Sequence, residues 1–312
     1  MSNATIQYTN PAIRKKAIIA LALVSIFWGT TWVASREGVK HMPALQLIGI
    51  RQLIAGGVYV LFFLIRGHAL PTGRQWRTIL ILTFLNFVLS NTMSTWGVKY
   101  ISAGLGSIIA ATFPLWLVVI AFVKSRSEVT KGAIPGFLIG FAGICIIFYE
   151  HLNDLKNPDF RLGITLSLLS TWSWAFGTLY IKKKAADFNP YFSLGLQMLF
   201  SSVVVLAVAY FSGKTIPVSE IPTRSWLSIL YLIIFGSVIS FVAYLYALQH
   251  LAASRVSTYA YINPIVAVMI GTLMFDEKFT LFIAIGGVVT LLGVYLVNQA
   301  FSSRRRRDQE SQ

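Results

Sequence analysis

The sequence predicts an all-α membrane protein with ten transmembrane helices arranged as two inverted five-helix repeats. Three observations predict it. Apolar residues make up 56% of the 312-residue chain and charged residues 12%, with a mean hydropathy of +0.69; a soluble domain averages about 45–50% apolar and about 25% charged. The apolar residues gather in ten runs, each near the roughly 20 residues needed to cross about 30 Å of hydrocarbon. The second half of the chain also repeats the first at a nearly fixed offset. This composition excludes an ordinary soluble enzyme, a disordered chain and a disulfide scaffold. Cys145 is the single cysteine, so no internal disulfide forms.

The ten predicted spans are, in order, Lys16–Ala34, Ala44–Ile65, Trp76–Val98, Ile101–Val123, Gly132–Glu150, Leu162–Ile181, Tyr191–Ser212, Ser225–Leu248, Ala253–Phe275 and Thr280–Phe301. The first follows Arg14-Lys15-Lys16 and could pass for a signal peptide. Its apolar stretch is too long for that, no clear small-x-small cleavage site follows, and a second span comes at once, so it reads as retained. The links are short: Lys99-Tyr100 joins spans three and four, and Asp276–Phe279 joins nine and ten. Even the longer loops, Asn153–Arg161 and Gly213–Arg224, are turn-sized and cannot bury a core.

Charge placement sets the expected orientation. With the N-terminus inside, the inner links and tails carry seventeen Lys and Arg: Arg14, Lys15, Lys16, Arg66, Arg74, Arg77, Lys124, Arg126, Lys131, Lys182, Lys183, Lys184, Arg255 and Arg304–Arg307. The outer links carry eight: Arg36, Lys40, Lys99, Lys156, Arg161, Lys214, Arg224 and Lys278. Short loops rich in Lys and Arg stay in the cytoplasm, so both termini are expected inside. The net charge of +15 then has a topological cause. The basic run Arg304–Arg307 reads as a stop signal resting on anionic lipid rather than a nucleic-acid contact.

An offset of 150 residues aligns the halves from span three onward. Trp76 falls on Trp226, Ile79-Leu80 on Ile229-Leu230, Val88 on Val238 and Ser90 on Ser240. Ala103, Ser107, Ala110 and Pro114 fall on Ala253, Ser257, Ala260 and Pro264, and Gly136 and Gly143 on Gly286 and Gly293. Trp28 falls on Trp174 at a slightly smaller offset, as does Pro43 on Pro190. The units expected are residues 16–150, residues 162–301, and a basic cytoplasmic tail over residues 302–312. Five spans per unit is an odd number, so the second unit enters the membrane in the opposite sense. Inverted repeats of this kind are a signature of secondary transporters, with the substrate held near the midplane between the halves.

On these residues the chain resembles the EamA type of the drug/metabolite transporter superfamily. The resemblance is carried by Phe27-Trp28-Gly29-Thr30, Arg51 and Gly97–Pro114 in the first half. In the second it is carried by Ala247–Pro264, Phe275-Asp276-Glu277-Lys278, Gly286 and Gly293. The first half departs from the pattern with Ser125-Arg126-Ser127-Glu128 where the second has its Asp-Glu-Lys turn. Met198 stands where the first half has Arg51. The resemblance implies export or exchange of small metabolites across a bacterial inner membrane, and an aromatic-walled pocket would suit apolar or aromatic amino acids and related drugs. The resemblance implies no cofactor and leaves the substrate open.

Polar groups inside a bilayer are costly and mark function or packing. Arg51 is the ionisable residue set deep in a span. It either snorkels to the outer interface, binds an anion or pairs with backbone carbonyls. Asn86, Ser90 and Ser94 recur at helical spacing in span three, mirrored by Gly236, Ser240 and Tyr244 in span eight. They wall a cavity or bond helix to helix. Pro114 and Pro264 each remove a backbone hydrogen bond in mid-span, beside Thr112 and Asn263, and act as gates or plain kinks. Trp28 and Trp174 lie deep enough to wall a pocket. The expected substrate contacts are Trp28, Asn86, Ser90, Trp174, Tyr244 and Asn263, with Arg51, Pro114 and Pro264 in structural or gating roles.

No Asp or Glu is predicted deep in a span, and the four histidines lie at or beyond span ends. There is no P-loop run and no metal-ligand or nucleophile–base spacing. Neither a tight proton relay, ATP drive, a bound metal nor catalysis is expected. The rival readings are a membrane enzyme acting on lipid or isoprenoid, and a non-transporting scaffold or receptor. The expected partners are a small-molecule substrate and the lipid bilayer.

Overall fold

The computed structural model describes residues 11–113, 115, 116, 119, 120, 133–184, 188–251, 256 and 259–310. Among them every regular element is a helix and none is a strand. Six helical rods are long and apolar enough to cross a membrane, and two more apolar helices, Ile134–Glu150 and Tyr259–Phe275, are shorter.

The first half begins with α1 (Pro11–Lys40) and α2 (Ala44–Ile65). A single rod follows, made of α3 (Arg74–Leu82), a π-helical stretch over Thr83–Asn91 and α4 (Thr92–Gly97). Then come α5 (Ala103–Ala111) and α6 (Ala133–Glu150). The second half has α7 (Pro158–Lys184), α8 (Pro190–Phe211) and a rod of α9 (Thr223–Tyr231), a π-helical stretch over Leu232–Ile239 and α10 (Ser240–His250). It closes with α11 (Tyr259–Phe275) and α12 (Leu281–Glu310). Pro114 and much of the link between spans four and five lie outside the described residues, as does the start of span nine.

Helix ends follow local chemistry. Ser102 caps α5 by accepting from the Leu105 N–H at 3.1 Å. Asn189 caps α8, accepting from Tyr191 and Phe192, with Pro190 at the first position, where its missing N–H costs nothing. Asp276 takes a left-handed φ of 52°, which folds the chain back so that the Glu277 N–H reaches the Gly271 carbonyl at 3.0 Å. Gln46 staples the loop before α9 to α2 by donating to the Ile216 carbonyl at 2.7 Å and accepting from the Ile216 N–H at 2.9 Å.

In lipid, burial of apolar surface does not favour helix association; close packing does. The outward faces are accordingly apolar, with Leu61, Phe62, Val203, Leu273 and Val288 exposed, while Ser, Thr and Gln side chains are buried inside. Small residues let helices approach. Gly56 of α2 packs on the Gly195 carbonyl of α8, and Gly136 and Gly143 of α6 meet the backbone at Gly293 and Thr290 of α12. In the last pair no side chain fits between the two backbones.

The structure differs from expectation inside spans three and eight. Both were predicted as plain α-helices, and both carry a π-helical centre. The two stretches, Thr83–Asn91 and Leu232–Ile239, fall within two residues of the 150-residue offset. A hydroxyl closes each one from the next turn: Thr92 donates to the Phe87 carbonyl at 2.9 Å and Ser240 to the Phe235 carbonyl at 2.5 Å, both five residues back. That i→i−5 reach matches the π-helical hydrogen-bond span.

Candidate functional site

The wider π-turn changes which groups each rod presents. The Leu232–Ile239 stretch offers its backbone carbonyls to side chains of other helices. Trp28 Nε1 of α1 donates to the Gly236 carbonyl at 3.2 Å. The Tyr59 hydroxyl of α2 lies 3.2 Å from the Ser237 carbonyl and 3.0 Å from that of Val238. One residue in this turn also meets the buried cation: Arg51 Nε donates to Ser237 Oγ at 2.9 Å. Gly236 leaves room for it, since a Cβ there would stand 3.0 Å from Arg51 Nη2.

Around these contacts lies a cavity of about 150 Å³. Its wall takes Trp28, Thr31, Trp32 and Ser35 from α1, Arg51 from α2, and Ser90, Asn91, Ser94 and Thr95 from the first π-containing rod. Ser107, Ala110 and Ala111 come from α5, with Phe113 just beyond it. Ser170, Thr171 and Trp174 come from α7, Phe241 from α10, and Tyr259, Ala260 and Asn263 from α11. Both halves of the chain contribute. Trp28 is the aromatic hub: its ring lies 5.1 Å from those of Phe241, Tyr244 and Tyr259, and 6.5 Å edge-on from Trp174.

The expected contacts fall in two groups. Trp28, Ser90, Trp174, Asn263 and Arg51 line the cavity. Asn86 is buried behind the wall against Gly177, its Oδ1 without a hydrogen-bond partner among the described residues, and Tyr244 packs at a tilt behind Trp28. With its amide oriented to donate, Asn263 Nδ2 reaches the Tyr259 and Ser25 carbonyls at 3.0 and 2.8 Å, tying α11 to α1. Pro264 sits inside α11 and is buried. Arg51 is 6% exposed and faces the cavity rather than lipid.

The sequence reading placed Trp174 of α7 on the wall and missed Ser170 and Thr171 beside it. Ser90 and Ser170 face each other with hydroxyls 3.4 Å apart. The signal was present, because Ser167, Ser170, Thr171 and Trp174 recur at one-face helical spacing. It also missed Glu277. This carboxylate accepts the Ala103 and Gly104 N–H groups at 2.7 and 3.2 Å at the start of α5, and pairs with Arg36 of α1 at 3.0 Å. Arg36 in turn donates to the Val98 carbonyl at 2.8 Å and to that of Ile101. Among the described residues no group of three or more His, Cys, Asp or Glu is placed to hold a metal ion.

The EamA-like transporter family matches this chain twice, over residues 15–149 and 161–299. The chain belongs to the EamA-like transporter family. The chain is 31% identical to the uncharacterized inner membrane transporter YedA of Escherichia coli (strain K12), covering 89% of this chain and 91% of that one. It is 26% identical to the uncharacterized transporter YvbV of Bacillus subtilis (strain 168), covering 91% and 92%. A crystal structure of a protein 15% identical shares the fold, with a TM-score of 0.65 over 91% of this chain and 97% of that one. This EamA-family chain is therefore a multi-pass membrane protein of the drug/metabolite transporter superfamily.

Proposed function

We propose that the chain is a secondary transporter that exports or exchanges small organic metabolites by alternating access, and that the cavity around Trp28 is its substrate site. The observation that carries this reading is the two-sided wall: α1, α2 and α5 face α7, α10 and α11 across one space. In this reading residues 16–150 and 162–301 form inverted five-helix units with both termini in the cytoplasm of a bacterial inner membrane. Matched contacts support it. α2 packs on the Leu232–Ile239 stretch as α8 packs on Thr83–Asn91, and α1 packs on Leu232–Ile239 as α7 packs on Thr83–Asn91. Two halves with interchangeable packings have two states of similar energy, and a substrate need only bias a near balance.

Trp28, Ser90 and Trp174 meet the substrate in this scheme, while Asn263 holds the wall and Asn86 and Tyr244 brace it from behind. Among the described residues the cavity wall carries hydroxyls, amides, aromatic rings and one arginine, a set suited to binding. The test is flux into vesicles holding the purified chain. A transporter gives saturable uptake of some organic metabolite, with counterflow when the same solute is preloaded. Uptake that never saturates, or none across a broad panel of solutes, overturns the reading.

A further inference from the structure

Arg51 is a buried cation with no counter-charge among the described residues. Among the described residues no ion pair involves it; the pairs present join Arg36 to Glu277, Lys40 to Glu37 and His151 to Asp154. Its Nε donates to Ser237 Oγ, and among the described residues neither Nη has an acceptor. A charge taken out of water is costly unless something pairs with it. A guanidinium with its outer edge free is shaped to grip a carboxylate through two parallel hydrogen bonds. Arg51 presents that edge to the cavity from beside Gly236, the same residue whose carbonyl holds Trp28.

The rest of the wall limits what the anion can be attached to. Trp28, Trp174 and Phe241 supply apolar and aromatic surface, and the space of about 150 Å³ is of a size that admits a benzene ring. Among the described residues no Asp, Glu or His lines it, so none of them pairs with an ammonium group as Arg51 would with a carboxylate. We infer that this cavity is an organic-acid site: Arg51 pairs with the carboxylate of an aromatic or apolar monoanion whose body lies against Trp28 and Trp174. The inference deepens the transport reading above and rests on the cavity being its substrate site.

The test compares four molecules of one skeleton on the purified full-length chain: 3-phenylpropionate, its uncharged amide, L-phenylalanine and phenethylamine. Ligand binding to the folded chain raises its melting temperature, and Trp28 and Trp174 report it independently by fluorescence. Expected is binding of 3-phenylpropionate at least about tenfold tighter than of the amide or the amine, with phenylalanine no tighter than the acid. Arg51→Gln loses that preference, and Arg51→Lys keeps part of it because it retains charge without the fork. Equal binding of acid and amide, or an unchanged preference in Arg51→Gln, overturns the inference, as does no binding of the acid. Equal stabilisation by sodium sulfate overturns its organic part. The acid–amide comparison on the unmodified chain needs no variant to fold. Arg51-dependent binding without vesicle uptake supports this site and sinks the transport reading. Saturable uptake blind to the carboxylate does the reverse.

Discussion

Glu277 joins two distant parts of the chain through one carboxylate: Oε1 lies 3.0 Å from Arg36 Nε and accepts the Ala103 N–H at 2.7 Å, while Oε2 takes the Gly104 N–H at 3.2 Å. Negative charge at a helix N-terminus is favoured by the unpaired N–H groups and the helix dipole. The side chain of Glu277 is 8% exposed and that of Arg36 is 25% exposed, so solvent screens the pair only in part. Glu277→Ala removes the ion pair and the cap together and is expected to cost about 2 kcal/mol, a value discounted for the exposure of Arg36. Arg36→Gln and Glu277→Gln, singly and combined, complete a cycle read by unfolding in micelles. A coupling of about 1 kcal/mol or more is expected. Strict additivity would mean that the two groups do not act on each other.

The two π-helical centres are held by hydroxyls, which makes them open to a small change. Thr92→Val and Ser240→Ala each delete one i→i−5 side-chain bond. Each is expected to cost about 1 kcal/mol, the net value of a hydrogen bond. The larger effect is on the site. Relaxation of Leu232–Ile239 to α-helix would rotate Gly236 and Ser237 away from Trp28 and Arg51. Vesicle flux by Ser240→Ala is expected to fall several-fold with the protein still inserted. Unchanged flux would mean that the π-turn is not needed where Trp28 and Arg51 grip it.

Glycine pairs give a contrast within one chain. A side chain at Gly293 would run into the backbone of Gly140 in α6, whereas a methyl at Gly57 meets nothing within 4 Å. Gly293→Val is expected to destabilise by about 3 kcal/mol through forced separation of α12 from α6. Gly57→Ala is expected to stay within about 0.5 kcal/mol of the parent. Melting temperatures in one detergent compare the two directly; similar shifts would show that the α6–α12 contact yields easily.

Much of this architecture can be read in the sequence, and what escapes does so for identifiable reasons. Hydropathy marks the rods because lipid allows few other compositions. The offset that aligns Gly136 and Gly143 with Gly286 and Gly293 points to the very residues that meet between α6 and α12. The π-helical stretches escape because Thr83–Asn91 has no composition that separates i→i+5 from i→i+4 bonding. Periodicity finds a face but not a depth: Asn86 and Ser90 share a predicted stripe, yet one packs on Gly177 and the other lines the cavity. Arg51 was open to three readings, and Ser237, distant in sequence, decides where it points. Glu277 escapes because its partners, Arg36 and the start of α5, lie far from it along the chain.

Asn263 joins the cavity wall to a helix tie, and the two roles separate in kinetics. Its amide nitrogen is engaged by the Tyr259 and Ser25 carbonyls, so its removal loosens α11 from α1. Asn263→Ala is expected to lower stability by about 1 kcal/mol, in the range for polar contacts between membrane helices. The maximal rate of uptake is expected to fall about fivefold with KM changed less than about twofold, the pattern of a lost conformational contact rather than lost substrate binding. A KM raised about tenfold at an unchanged maximal rate would place the amide on the substrate instead.

The asymmetry of basic residues, seventeen on one set of links and tails against eight on the other, leads to an expected orientation with both termini inside. Cys145 is exposed, so labelling starts from Cys145→Ser. Single cysteines are then placed at Ser303, beside the Arg304–Arg307 run, and at Gly213, in the turn after α8. A membrane-impermeant maleimide added to intact cells is expected to label Gly213→Cys and to spare Ser303→Cys until the membrane is broken. The expectation is sharp because each basic residue near a span end adds to the bias against translocation, and the tail alone carries four. Labelling of Ser303→Cys in intact cells would turn the molecule over, and Arg36 and Glu277 would then close the cytoplasmic end of the helices instead of the outer one.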